Sequence, residues 1–159
     1  MAIKEGDKIP AATLHMMKDG KPAAVTTAEL FDNKKVVLFA VPGAFTPTCS
    51  MAHLPGYVVQ ADNIKAKGVD SIVCLSVNDA FVMDAWGKDK NAENLLMVGD
   101  GNGAFTQAVG LEMDGSGFGL GKRSQRYAMV VVNGVVKKLA VEAPGKLDVS
   151  KAEEILKTL

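Results

Sequence analysis

The sequence runs to 159 residues, enough for one domain over 1–159 built on a single core. At 48% hydrophobic and 23% charged it has the composition of a globular chain, which sets disordered and fibrous classes aside. Eighteen Lys and Arg balance eighteen Asp and Glu, so nothing in the charge favours nucleic acid or an anionic membrane surface as a partner.

Met1 to Asp7 carries acids early and has no apolar h-region, so no signal peptide is expected and a cytoplasmic location is the default. Thr13 to Val25 alternates around Asp19-Gly20, the mark of a hairpin. Thr26 with Glu29 reads as a capping box opening a short helix. Lys35 to Val41 is a buried strand, and its apolar run is far shorter than the ~20 residues of a membrane span. Pro42-Gly43 and Pro47 then mark a loop. Thr48 to about Lys67 has a helical pattern, with Met51, Leu54, Val58, Val59 and Ile64 on one side. Ser71 to Val77 is a second strand, and Asn78 or Asp79 caps a helix over Ala80 to Lys88. Leu95 to Val98 is a short strand and Ala104 to Val109 a short helix; Gly99–Gly103 and Gly115–Gly121 are loops. Arg126 to Val132 and Val135 to Val141 flank Asn133-Gly134, which predicts an antiparallel hairpin with a type I′ turn. Ser150 with Glu153 reads as a capping box for a last helix whose apolar side is Ile155, Leu156 and Leu159. The order implies an α/β protein with a mixed central sheet flanked by helices and an N-terminal hairpin, compatible with a thioredoxin-like core.

Two cysteines make no disulfide framework, and without an export signal they are expected as free thiols. Cys49 falls in the first turn of a helix, after a loop stiffened by two prolines. Unpaired N–H groups and the positive end of the helix dipole favour thiolate there, and the thiolate is the nucleophile. Cys74, inside Ile72-Val73-Cys74-Leu75, reads as a small strand hydrophobe. Thr46 and Ala52 stand three residues either side of Cys49, so there is no C-x-x-C and no support for dithiol exchange. Cys49, His53 and the distant His15 do not make a tetrahedral metal set, so no metal is expected. His53 reads as a helix-surface or interface histidine, pointing away from an incoming substrate or toward the next layer rather than serving a Cys–His hydrolase. Leu120 and Ser124 stand where two G-x-G-x-x-G matches need glycine, and Arg123 follows Gly121-Lys122 where a P-loop needs Ser or Thr. No nucleotide cofactor is therefore indicated. Arg126, at the start of the last hairpin, is the second candidate: a guanidinium there can pair with the Cys49 thiolate and still offer donors to a bound oxygen. Lys122 and Arg123 read as solvated loop charges.

The run Pro42-Gly43-Ala44-Phe45-Thr46-Pro47-Thr48-Cys49-Ser50, continuing to His53-Leu54-Pro55-Gly56-Tyr57, resembles the active-site segment of peroxiredoxins, with Pro42, Thr46 and Cys49 on the family's P-x-x-x-T-x-x-C pattern. The surrounding letters look like the type-5 (type II) branch, and Val77–Phe81, Trp86-Gly87, Asp100–Phe105 and Arg126–Met129 extend the likeness over nearly the whole chain. The resemblance implies a thioredoxin-like fold and a thiol-dependent peroxidase without a cofactor, reducing hydrogen peroxide and alkyl hydroperoxides. Cys49 would attack the peroxide, Thr46 would bind it, Arg126 would hold thiolate and developing charge, and Pro42 would shield the pocket. Many members of this branch carry a resolving cysteine just before the last helix; Gly145–Ser150 has none here. That departure implies a one-Cys cycle, with glutathione and glutaredoxin as reductant and thioredoxin second. The branch also implies a homodimer, for which Phe45, Phe81 and Phe118 are candidate contacts if they are not core. The competing functions are a peroxide-sensing regulatory protein with low turnover and, more distantly, a holdase chaperone.

Overall fold

A seven-stranded sheet organises the computed structural model, which describes residues 1–159. Its first hairpin pairs β1 (Thr13–Lys18) with β2 (Lys21–Thr26). The turn residues Asp19 and Gly20 both take positive φ, 53° and 79°, the geometry that lets a two-residue turn follow the strand twist. Thr26 caps α1 (Thr27–Phe31) through the reciprocal bonds with Glu29 that its sequence announces. β3 (Lys35–Val41) follows, then a helical segment that opens as a π turn over Cys49–His53 and continues as α2 (Leu54–Lys65). β4 (Ser71–Ser76) leads to α3 (Ala80–Asp89), capped by the Asp79 side chain, and β5 (Leu96–Gly99) to α4 (Ala104–Ala108). A small hairpin of β6 (Glu112–Asp114) and β7 (Lys122–Ser124) lies apart from the main sheet. β8 (Tyr127–Val132) and β9 (Val135–Val141) form the expected second hairpin around Asn133-Gly134, and α5 (Ala152–Leu156) closes the chain.

The strand order is β2-β1-β5-β4-β3-β8-β9. β3, β4 and β5 run parallel, while β1 and β8 flank them antiparallel. Alternate residues of β3 feed two cores, because side chains of a strand point to opposite faces. Val37, Phe39 and Val41 join Cys74, Leu54, Tyr57 and Ile64 on one face; Val36, Leu38 and Ala40 join Phe31, Phe105 and Met129 on the other. Helices therefore cover a mixed sheet on both sides, and the thioredoxin-like α/β architecture expected from the sequence is the one found. No helix is long and apolar enough to cross a membrane.

Two local expectations fail for physical reasons. The buried stripe of α2 is Leu54, Tyr57, Ala61 and Ile64; Met51 and Val59 are 80% and 76% exposed. The π turn carries Met51 out of α-helical register with α2, and Tyr57 takes the sheet-facing place, stacked on Phe39 with centroids 3.9 Å apart. Ser150 does not cap α5, whose N-cap is Lys151 without a side-chain bond. Its hydroxyl donates instead to Glu142 at 2.6 Å, since a carboxylate is the stronger acceptor. The β6–β7 hairpin had no strand pattern to announce it. The corrected α2 face predicts that Ile64→Ala destabilises by about 2–5 kcal/mol while Val59→Ala stays within about 0.5 kcal/mol, measured by urea unfolding. Equal losses at the two positions would contradict this packing.

Candidate active site

Beyond β3 the chain must turn sharply at Pro42 and start a helix at Pro47-Thr48. The loop between is held at several points. Arg123 Nη1 donates to Pro42 O at 3.2 Å, and Asn78 Oδ1 accepts from the Ala44 N–H at 3.0 Å. Thr46 Oγ1 donates to Gly43 O at 2.6 Å. Arg123 lies so close that a Cβ on Gly43 would sit 2.8 Å from its Nη1, so a side chain there would displace the guanidinium from Pro42 O. Phe45 takes φ of 64°, a strained conformation for a bulky residue, with its ring 6.3 Å from that of Trp86.

The first i→i+4 bond of the helix runs from the Ser50 N–H to Thr46 O at 2.9 Å, so the Cys49 N–H lies ahead of the helical ladder. Cys49 is fully buried. Arg126, at the start of β8, reaches across 77 residues of sequence to place Nη2 3.1 Å from Cys49 Sγ. Its other terminal nitrogen, Nη1, donates to His53 Nδ1 at 2.8 Å. One guanidinium thus spans the two side chains at the ends of the π turn.

The far side of the imidazole is equally defined. His53 Nε2 lies 3.2 Å from Ser150 O, which also accepts from the Tyr57 hydroxyl at 2.6 Å. A carbonyl only accepts and a guanidinium only donates, so the geometry selects the neutral Nε2–H tautomer. Burial, and then the Arg126 charge, lower the His53 pKa to about 3 against the smaller opposing pull of Ser150 and Glu142. Ser150 is in turn held by Glu142, whose Oε2 accepts from its N–H at 2.8 Å and its hydroxyl at 2.6 Å, and from the Asp148 N–H at 2.7 Å. Burial pushes the Glu142 carboxyl up, but these donors outweigh it and hold it below its ordinary value.

Of the residues singled out in the sequence, Arg126 meets Cys49 directly, Pro42 lines a cavity with Arg126, and Thr46 bonds Gly43 O three residues ahead of Cys49. The structure corrects two other readings. His53 is 1% exposed and faces the guanidinium rather than a helix surface, because the π turn directs it inward. Arg123 is half-buried against Pro42 and Leu120, since the β6–β7 hairpin folds it over the loop; Lys122 stays exposed. Phe45, Phe81 and Phe118 are all exposed, not core. Cys74 is buried in β4, where its apolar surroundings, and Cys49 secondarily, push its thiol well up. Sequence reasoning missed His53, Ser150, Glu142 and Tyr57; only the spacing of His53 from Cys49 hinted at any of them. A cavity of about 520 Å³ opens beside Pro42, Thr48 and Arg126, with Met113, Leu120 and Pro144 among its outer walls. No three His, Cys, Asp or Glu side chains converge as a metal set.

Residues 4–156 match the Redoxin family. The chain is 52% identical to "Peroxiredoxin-2E-2, chloroplastic" of Oryza sativa subsp. japonica, over 99% of this chain and 72% of that protein. It is 49% identical to "Hybrid peroxiredoxin hyPrx5" of Haemophilus influenzae, over 100% of this chain and 67% of that protein. Among solved structures it is similar to reduced Prx3 in complex with hydrogen peroxide from Vibrio vulnificus, with a TM-score of 0.95 and 60% identity over 98% of both chains.

The depressed His53 pKa has a consequence for stability. The unfolded chain binds a proton at this ring below about 6.5, whereas the folded chain does so only near 3. His53 therefore contributes stability that is complete above pH 6.5 and is lost as pH falls from there toward 3. Removing the ring in His53→Leu is expected to flatten the decline in unfolding free energy between pH 6.5 and 4. An unchanged pH dependence would contradict it.

Proposed function

The chain belongs to the redoxin family as a peroxiredoxin, a thiol-dependent peroxidase, and from that premise we propose that Cys49 is the sulfur that attacks the peroxide. The observation that carries this reading is the 3.1 Å contact between Arg126 Nη2 and Cys49 Sγ at the start of a helix. A fixed positive charge against sulfur favours the thiolate. The thiolate attacks the terminal oxygen, an S–O bond forms as the O–O bond breaks, and the leaving oxygen departs as water or alcohol once protonated. Cys49 is left as the sulfenic acid.

Thr46 and Arg126 divide the peroxide between them. The Thr46 hydroxyl donates to Gly43 O, which leaves its lone pairs to accept an O–H from the peroxide. The guanidinium donates to the oxygen on which charge develops, and because it is held in advance it costs no reorganisation in the transition state. Pro42 lines the cavity beside Arg126, and its apolar ring there supports a role in keeping water from the thiolate. Met113, Phe118 and Leu120 in the lining of that cavity offer apolar contact to alkyl hydroperoxides as well as room for hydrogen peroxide.

We read the cycle as one-Cys. No thiol lies between Gly145 and Ser150, and Cys74, fixed in the middle of a strand with its thiol driven up by burial, is unsuited to resolving a sulfenic acid. Glutathione with glutaredoxin is the reductant proposed first and thioredoxin second; both require a reducing compartment, for which we propose the cytoplasm. The exposed rings of Phe45 and Phe81 supply an apolar face for a homodimer, and the working unit is one domain over 1–159.

Peroxide consumption over many turnovers with each reductant system tests this. Cys49→Ser is expected to abolish it, and Cys74→Ser to retain most of it. Turnover surviving Cys49→Ser would overturn the assignment, and a single rapid oxidation that no reductant sustains would favour the sensor. The sulfur is fully buried, so reduction by an outside thiol requires the π turn to open. Amide exchange across residues 46 to 52 is accordingly expected to speed up in the oxidised protein; equal protection in both states would contradict this.

A further inference from the structure

We propose that His53 is a positioning residue for the peroxidase reaction: its Nδ1 lone pair, presented to Arg126 because Ser150 O takes the proton on Nε2, aims the guanidinium at Cys49 Sγ. The proposal rests on Cys49 being the attacking sulfur.

An arginine at the start of a strand has four rotatable bonds and many places to put its head. Here Arg126 is only half-buried, and it forms no ion pair with any carboxylate, so no charge partner fixes the head. The two contacts on its terminal nitrogens are Cys49 Sγ and His53 Nδ1. The sulfur contact changes as the reaction proceeds, since the thiolate becomes a sulfenic acid. The ring is the contact that persists, through a 2.8 Å bond to a nitrogen the reaction leaves unchanged.

The anchor is itself over-determined. The ring packs against Phe39 at 5.0 Å and Tyr57 at 5.6 Å between centroids, which excludes rotation into another plane. Ser150 O is held from behind by the two bonds Ser150 makes to Glu142. The groups facing His53 are Arg126 on one side, with Cys49 beyond it, and Ser150, Tyr57 and Glu142 on the other. Among the ionisable ones Arg126 is cationic, Tyr57 is held neutral by burial, and Glu142 already accepts from three donors on residues 148 to 150. The neutral ring therefore holds the guanidinium without a counter-charge, leaving its charge directed at the sulfur. Low His53 basicity keeps Nδ1 an acceptor for the guanidinium across neutral pH.

Three substitutions separate positioning from packing. His53→Asn places an acceptor oxygen where Nδ1 stands, His53→Gln keeps a donor where Nε2 stands, and His53→Leu fills space without either. The readouts are the pH profile of Cys49 alkylation by iodoacetamide, with Cys49→Ser as control, and the second-order rate with hydrogen peroxide. His53→Leu and His53→Gln are expected to slow the peroxide reaction by roughly 10- to 100-fold and move the alkylation profile to higher pH, as displaced catalytic groups do. His53→Asn is expected to recover most of both. In an Arg126→Met background, His53→Leu is expected to add no further loss, because it acts through that residue. Leu and Asn variants that match the wild type, or that are equally impaired, would overturn the proposal, as would full additivity with Arg126→Met. Slow reaction of the wild-type protein itself, with an alkylation profile that still responds to His53, would instead indict the peroxidase reading.

Discussion

One guanidinium joins the parts of this site that the chain supplies from far apart. Cys49 and His53 come from the π turn after β3, and Arg126 comes from the start of β8, 77 residues beyond the sulfur. The pairing of β3 with β8 makes the meeting possible. Ala40 sits opposite Tyr127, so the strand that ends just before Pro42 and the strand that begins just after Arg126 deliver their ends to the same edge. Hydrogen bonds to charged groups contribute about 1.5–3 kcal/mol, enough to matter to a reaction at the sulfur but too little to fold a loop alone. The sheet must supply the position, and the guanidinium then supplies the chemistry.

The surrounding bonds serve that one geometry. Arg123 and Asn78 fix the loop that carries Pro42 and Thr46, while Glu142 and Ser150 fix the ring behind the guanidinium. Trp86 donates to Ser50 Oγ at 2.8 Å, tying α3 to the residue after Cys49. Against this order stand a left-handed Phe45 and a π turn, two departures from relaxed backbone beside one sulfur. Strain of that kind persists only where neighbouring contacts over-determine it, and it marks the segment that gives way when the sulfur must be reached.

Much of the fold was legible because its signals are local. Asp19-Gly20 and Asn133-Gly134 specify their turns, Thr26 and Asp79 their caps, and the Val-rich runs their strands. Cys49 and Arg126 were legible as candidates, and their pairing was raised by their residue types and implied by the family resemblance. The inner half of the site was not legible, for a reason visible in the last hairpin. A regular pairing from Val132–Val135 would set Arg126 opposite Val141, but a bulge between Val130 and Val131 shifts the register. Glu142 pairs with Arg126 instead, its N–H bonding Arg126 O at 2.9 Å, and its carboxylate holds Ser150, in the turn ahead of α5, against His53. The π turn is a second such register change, and it set both the burial of His53 and the true face of α2. No period in the sequence encodes an inserted residue.

The account stands on the forked contact of Arg126, and replacing the fork while keeping the charge tests it most directly. Stopped-flow reaction of the reduced protein with hydrogen peroxide, followed by Trp86 fluorescence, gives the second-order rate for wild type and Arg126→Lys. A lysine carries the charge but cannot grip Nδ1 and Sγ at once, so a loss of about 10²-fold is predicted. A rate for Arg126→Lys within a factor of two or so of the wild type would contradict the account, since charge alone would then suffice.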